Sequence, residues 1–424
     1  MPFIPILFLT FKSKTVQEAY LNTAIRLGNR ICRDAIRHQD KCNWIAATTE
    51  TNYKSRSEPY YRALKGDWYS GTSGIAYFLA QLYCVSREPL HRKIAEEAMR
   101  QALDDVENIR HGKLGFYTGY TGIAYAAIRL GEQLESEEFI DRGLDLLNRM
   151  HRMDESDYNL DMIDGCAGAI PALIKLARNY PSDPLEQLLD RMGSYLLNRA
   201  VDEPHGCSWK TLEKGTKANL TGFAHGTSGI ALALLELGHF QKNEAYIEAA
   251  LAGFAYEESH FSEAEQNWPD FRDMSMYLPG EEEKTYYGNA WCHGAPGIGL
   301  ARLRAYELTG KEILKTYAQR AVNTTIDHFD LTSLGNYSLC HGLFGNAETL
   351  LYASETLQDK TYRELVESAG YEMIEQVERK GTPPANGTQT EYFTPDMMLG
   401  LAGIGYFYLR LYDAGQFESV LMLT

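Results

Sequence analysis

Two short stretches set a thiol beside an imidazole: "NAWCHGAPGIG" at residues 289–299 and "SLCHGLFGN" at 338–346. Each places a Cys–His pair, Cys292–His293 and Cys340–His341, directly before a Gly-x-x-Gly, and the two lie 48 residues apart. Thiolates and neutral imidazoles on converging loops are metal ligands, and zinc is the ion that suits S and N donors together. Three protein ligands with an open position would make a catalytic centre, and four a closed structural one. The residues alone leave that choice open. A lone cysteine is usually inert packing; recurrence of the pair at one place in a repeated pattern points to a shared site.

Other reactive groups stand in similar places. His225 occurs in "GFAHGTSG", and Asp161 and Asp164 in "LDMIDGCAG". An imidazole and a carboxylate are the usual parts of general acid–base catalysis. His205 and Cys207 in "PHGCSW" lie away from any Gly-x-x-Gly and read as bystanders, Cys166 as a small packed residue, and Cys32, Cys42 and Cys84 as core or surface thiols. The sequence has no Walker loop, no protein-kinase motif set and no Gly-x-Ser-x-Gly elbow, so nothing in it points to ATP use or serine hydrolysis.

Something must bring these loops together. Gly-x-x-Gly recurs at 71, 119, 165, 226, 294, 342 and 400. A small-residue, apolar run follows each one, such as "IAYFLAQLY" or "IALALLEL", as expected of a helix buried on most sides. Segments such as "EEFIDRGLDLLNRMHRM" precede them, with apolar residues at helical spacing and charges between. The unit is an outer amphipathic helix, a loop, Gly-x-x-Gly and an inner apolar helix, seven times over. Strand signals are weak. The predicted fold is all-α, an α/α toroid of seven helical hairpins whose inner helices line a central cavity, with an open solenoid as the alternative. Closure is favoured because seven units without capping repeats would leave two apolar ends exposed.

Composition is that of a globular protein, 44% hydrophobic and 23% charged, and the formal net charge of −16 argues against a nucleic-acid partner. Seven cysteines, an odd number in a chain this long, suggest a reducing compartment and a cytoplasmic location. The start, "MPFIPILFLTF", is apolar but too short to span a bilayer and has no basic segment before it. Residues 1–15 are expected to be an extension of a single domain covering 1–424, or the cut end of a longer protein. The connection from about 262 to 288 is long, holds the acidic run 281–283, and is a candidate lid or a plain loop.

"GFAHGTSG", "AWCHGAPG" and "LCHGLFGN", set among seven Gly-x-x-Gly turns, resemble the lanthionine synthetase C-like family. The resemblance runs from about residue 60 to the C-terminus. "WCHGAPGIGLARL", "SLCHGLFGNAE" and "FESVLML" are most similar to the cyclase domain of class II lanthipeptide synthetases. It implies an α/α toroid that binds Zn²⁺ through Cys292, Cys340 and His341, with water as the fourth ligand and His293 not a ligand. It implies His225 as the general acid/base, accompanied by Asp161. The implied reaction adds a peptide cysteine thiol to dehydroalanine or dehydrobutyrine, making lanthionine or methyllanthionine. The implied partners are a dehydrated precursor peptide and a separate dehydratase. Addition of glutathione to dehydrated residues, and a non-catalytic zinc-stabilised peptide-binding module, are the alternatives. One position departs from the family: four residues before Cys292, where the nisin cyclase has arginine, this chain has Gly288.

Overall fold

The structure is a computed structural model and describes residues 13–49, 59–109, 113–273, 284–330, 336–380 and 394–423. Most of the 1–15 extension, and the centre of the 262–288 connection with its acidic run, lie outside the described residues.

Each Gly-x-x-Gly opens an apolar helix: α2 (Thr72–Ser86), α4 (Tyr120–Leu134), α6 (Cys166–Asn179), α8 (Thr227–Gln241), α10 (Ala295–Thr309), α12 (Leu343–Thr356) and α14 (Leu401–Tyr412). Amphipathic helices alternate with them: α1 (Ser13–Arg33), α3 (Pro89–Asp104), α5 (Glu137–His151), α7 (Asp183–Leu197), α9 (Glu244–Glu258), α11 (Glu312–Asp327) and α13 (Lys360–Lys380). Every inner helix packs on the next, α14 packs back on α2, and α1 pairs with α14. The toroid is therefore closed, as the repeat count predicts. The tight hairpins run from each inner helix into the following outer one. Arg87, Glu135, Lys242 and Gln358 turn four of these corners in the left-handed region, and Gly310 a fifth. The outer-to-inner connections are the long ones, and they carry the site.

The second glycine of each motif has one steric reason, seven times. A Cβ there would come within 1.9–2.2 Å of the carbonyl oxygen three residues before the first glycine: Trp68, Phe116, Met162, Phe223, Trp291, Leu339 and Met397. No side chain fits against a backbone that close. The glycines are packing notches, but each accommodates its own loop rather than a neighbouring helix.

So folded, the seven loops join in a belt of backbone hydrogen bonds. Tyr69 N–H donates to Tyr117 O, Tyr117 to Ile163, Met162 to Ala224, Ala224 to Cys292, Cys292 to Cys340, Cys340 to Met398, and Met398 back to Tyr69, at 2.7–3.3 Å. Apart from a one-residue slip at Met162–Ile163, every member stands two residues before its first glycine. Each of these seven belt N–H groups thus finds a backbone carbonyl.

Two expectations need correction. Three short antiparallel hairpins interrupt the helices: β1–β2 (Ile36–His38, Lys41–Asn43), β3–β4 (Ile45–Thr49, Pro59–Ala63) and β5–β6 (Val201–Glu203, Gly206–Ser208). They lie in outer-to-inner connections, and their two-strand length gives little sequence periodicity. The central cavity is filled. Tyr117 and Trp291, from units on different sides of the ring, meet with centroids 5.2 Å apart. The segment Phe417–Leu423 enters the interior, where Val420 O accepts from Tyr117 Oη (3.1 Å) and Leu421 O from Trp291 Nε1 (3.1 Å). Phe417, Val420, Leu421 and Met422 are all buried. The interior is a packed core, and the site sits at its mouth.

Candidate metal and acid–base site

The belt decides which loop residues meet. Cys292 and Cys340 are neighbours in it, since Cys292 N–H donates to Cys340 O. Their sulfurs and a ring nitrogen of His341 lie within 4.8 Å of one another, and this is the single such group of three found among the described residues. Cys340 is buried, Cys292 half-buried and His341 exposed, so two donors come from the wall and one from the rim. As adjacent thiols they share a proton: a hydrogen bond from Cys340 holds Cys292 below the usual thiol pKa, and the same bond, with burial, pushes Cys340 well above it. Two thiols and an imidazole this close together are a donor set that fits Zn²⁺.

The Cys292 loop is held by unusual backbone. Gly294 has φ +92°, and a Cβ there would strike Gly288 O at 1.7 Å. Gly288 packs on the backbone of His293, where a Cβ would meet His293 O at 2.9 Å. A side chain at Gly288 would displace His293.

His225, directly before its Gly-x-x-Gly, points Nδ1 at Asp161 Oδ2, 2.5 Å away. Asp161 Oδ1 accepts from the backbone N–H groups of Ile163 (3.1 Å) and Asp164 (3.0 Å). Burial alone would lower the His225 pKa, but the hydrogen bond and charge of Asp161 outweigh it and raise it. Burial would raise Asp161, but His225 brings it below the usual carboxylate value. Asp164 goes the other way: burial, then the charge of Asp161, push it up to about 7. The loop carrying His225 is anchored from beneath, since Gly222 N–H donates to Glu257 Oε1 (2.6 Å) and Glu257 is paired with fully buried Arg302 (2.7 Å).

Three further residues complete the site. Asp270 and Arg272, from the 262–288 connection, form a forked ion pair closing to 2.5 Å. Asp270 Oδ2 lies 3.9 Å from Nδ1 of buried His293. Burial and then the Arg272 charge take the His293 pKa down to about 3. The rings of His293 and His225 stand 5.8 Å apart. Arg272, 20 residues upstream of Cys292, is thus a cation whose charge acts on that thiol. Buried Trp268 and the hydrogen bond from Asn267 Nδ2 to Gly288 O (2.9 Å) pin this segment. The third residue is Tyr69, whose phenol is held well above its ordinary pKa by burial and then by the charge of Cys340. None of the three stands out in the sequence. The aromatic anchor in "QNWPDFRD" is the one hint that its connection is packed rather than loose. His205 and Cys207 fall on the β5–β6 hairpin, with Cys207 donating to Ala249 O (3.4 Å), apart from the cluster. All seven cysteines are free.

A closed α/α toroid with a Cys–Cys–His cluster and a His–Asp pair at its mouth defines a class, and the comparisons agree with it. The family model described as lanthionine synthetase C-like protein matches residues 62–422. The chain belongs to that family. It is 24% identical over 389 residues to the lacticin 481/lactococcin biosynthesis protein LcnDR2 of Lactococcus lactis subsp. lactis, covering 88% of this chain and 38% of that protein. It is 22% identical over 346 residues to the nisin biosynthesis protein NisC of the same organism, covering 75% and 81%. Glutathione S-transferase LANCL1 of Danio rerio is 24% identical over 310 residues, covering 69% and 70%. Among solved structures, a nisin cyclase superimposes with a TM-score of 0.67 at 16% identity, over 97% of this chain and 98% of that one. The chain therefore spans well under half of LcnDR2 but most of NisC. No helix among the described residues is long and apolar enough to cross a membrane.

Proposed function

We propose that this chain is a zinc-dependent lanthipeptide cyclase acting on a dehydrated precursor peptide in the cytoplasm. The observation that carries the reading is the convergence of Cys292, Cys340 and His341 within 4.8 Å beside the His225–Asp161 pair. Cys292, Cys340 and His341 would hold Zn²⁺, and the ion when bound would favour the thiolate form of an incoming peptide cysteine, whose free pKa is about 8.5. The new bond joins that sulfur to the β-carbon of dehydroalanine or dehydrobutyrine. The alkene π pair moves toward the carbonyl as an enolate. His225, with Nδ1 donating to Asp161, presents Nε2 as the acid that protonates the α-carbon. Asp161 holds the imidazolium and fixes its tautomer. His225 recovers its proton from the next thiol, so atoms and charge balance without a redox cofactor.

The match to LcnDR2 over 88% of this chain, against 69% for LANCL1, supports a peptide rather than glutathione as the substrate. A separate dehydratase supplying the unsaturated peptide belongs to the same proposal.

The test is elemental analysis of the purified chain and its Cys340→Ala variant, followed by ring closure on a dehydrated peptide scored by thiol blocking and mass. The expected result is about one zinc per chain, loss of zinc in the variant, and thiol consumption by wild type alone. Freshly prepared wild type that holds no zinc, or consumes no thiol, would overturn the reading.

A further inference from the structure

Protonation of the enolate turns the α-carbon of the dehydro residue into a stereocentre. In the proposed reaction the proton leaves His225 Nε2 for one face of that carbon, and the enolate pair that takes it up restores the carbonyl. Which face receives it depends on where His225 stands relative to the Cys292 loop, and one buried side chain ties the two together.

Asp67, Asp161 and Asp396, each four residues before its first glycine, close their own turns. The His225 loop has Gly222 at that position, and its turn is held from outside. Gly222 has φ +102°, and a Cβ on it would stand 3.4 Å from both Cys292 O and His293 Cα. Its N–H donates to Oε1 of Glu257, on α9 (2.6 Å). Glu257 Oε2 accepts from Nη2 of Arg302, on α10 (2.7 Å), and from Oγ of Ser228, in the first turn of α8. Arg302 Nη1 also donates to Ser228 Oγ (3.1 Å). Glu257, Arg302 and Ser228 are fully buried. One carboxylate therefore holds the loop of His225 and the two helices that follow His225 and Cys292. A buried ion pair is a weak source of stability, since desolvation offsets its attraction; what this one supplies is a fixed geometry.

We propose that Glu257 is a positioning residue that sets His225 against the Cys292 loop and thereby decides the face on which the α-carbon is protonated. This rests on the zinc-cyclase reading. A carboxylate only accepts, and Glu257 meets three donors. An amide in its place would turn its N–H₂ group toward one of them, unless Arg302 is replaced as well and Ser228 Oγ takes the amide hydrogen.

The experiment compares two double variants without the buried charges. Glu257→Gln with Arg302→Met keeps an acceptor for Gly222 N–H, and Glu257→Leu with Arg302→Met does not. Each zinc-loaded chain receives a synthetic peptide with one dehydroalanine and one cysteine. Zinc content is recorded at the start, and the two lanthionine diastereomers are resolved by chiral chromatography after acid hydrolysis. Wild type and the Gln–Met variant should each give one diastereomer. The Leu–Met variant should keep its zinc and close rings up to about a hundredfold more slowly, the scale of a misplacement of about 1 Å. Its products should drift toward the diastereomer ratio formed without enzyme. Glu257→Asp, one methylene too short to reach both Gly222 and Arg302, should drift in the same way, and it carries the test if the Leu–Met variant does not fold. A wild-type ratio in the Leu–Met variant or in Glu257→Asp, an equal drift in the Gln–Met variant, or zinc lost in step with the drift overturns the proposal. Wild type that holds no zinc or closes no ring is a different outcome, and it overturns the cyclase reading itself.

Discussion

His225 Nδ1 lies 2.5 Å from Asp161 Oδ2, while the other carboxylate oxygen is taken up by two backbone N–H groups of its own loop. The same turn recurs without a histidine. Asp67 accepts from Ser70 N–H (2.7 Å) and Asp396 from Leu399 N–H (2.8 Å), each four residues before its first glycine. Asp161 thus closes its own turn with one oxygen and holds His225 with the other.

That division predicts what Asp161→Asn will do. The amide oxygen can still close the turn, so folding is largely kept. The His225 pKa, raised in the wild type, falls toward or below its ordinary value of about 6.5. An acid works only while protonated, so the basic limb of kcat against pH moves to lower pH. Ring closure at neutral pH falls by about 10²-fold or more, the scale of a lost general acid. Asp67→Asn should leave this limb in place. On stability, the His225 contribution is complete below its unfolded pKa and is lost as pH rises through the raised folded value. That of Asp161 is present above the unfolded carboxylate value and is lost as pH falls through its depressed one. Denaturant midpoints across pH in both variants check the sign.

The notch glycines predict a second outcome. Gly122→Ala would set a methyl 2.0 Å from Phe116 O, beside the belt residue Tyr117, in a loop that carries none of the proposed ligands. It should cost about 1–3 kcal/mol, as overpacking does, while zinc content is kept. Gly345→Ala meets Leu339 O at the same 2.0 Å, next to Cys340; it should lose stability and zinc together. Paired unfolding curves and elemental analysis separate the two.

The Asp270–Arg272 pair gives a third. Arg272→Gln leaves a nearly buried carboxylate beside His293 without its cation. The variant should lose about 1–3 kcal/mol, the cost of an unpaired buried polar or charged group at a partly open site. Asp270→Asn with Arg272→Gln restores neutrality and should recover most of that loss. If the Arg272 charge also serves the sulfurs, ring closure stays about tenfold down in both, the worth of one pKa unit. Recovery of activity with stability in the double variant would show the pair to be a scaffold alone.

The seven units, the closed all-α toroid and the loops that carry the clustered thiols and imidazoles were legible in the sequence for a local reason. Gly-x-x-Gly is forced wherever a loop carbonyl presses on the first turn of the next helix, so each site loop marks itself, and Cys292, Cys340, His341, His225 and Asp161 fall at fixed offsets from it. Local sterics could not decide what those offsets face. Asp67, Asp161 and Asp396 are alike in sequence, and Asp161 alone meets a histidine, because the adjacent unit in the belt happens to carry His225. Asp270, Arg272 and Tyr69 enter the site from other loops, and Phe417–Leu423 fills the interior from the chain's end. Those contacts join residues remote in sequence, so they exist only once the ring has closed and brought seven separate loops into one belt.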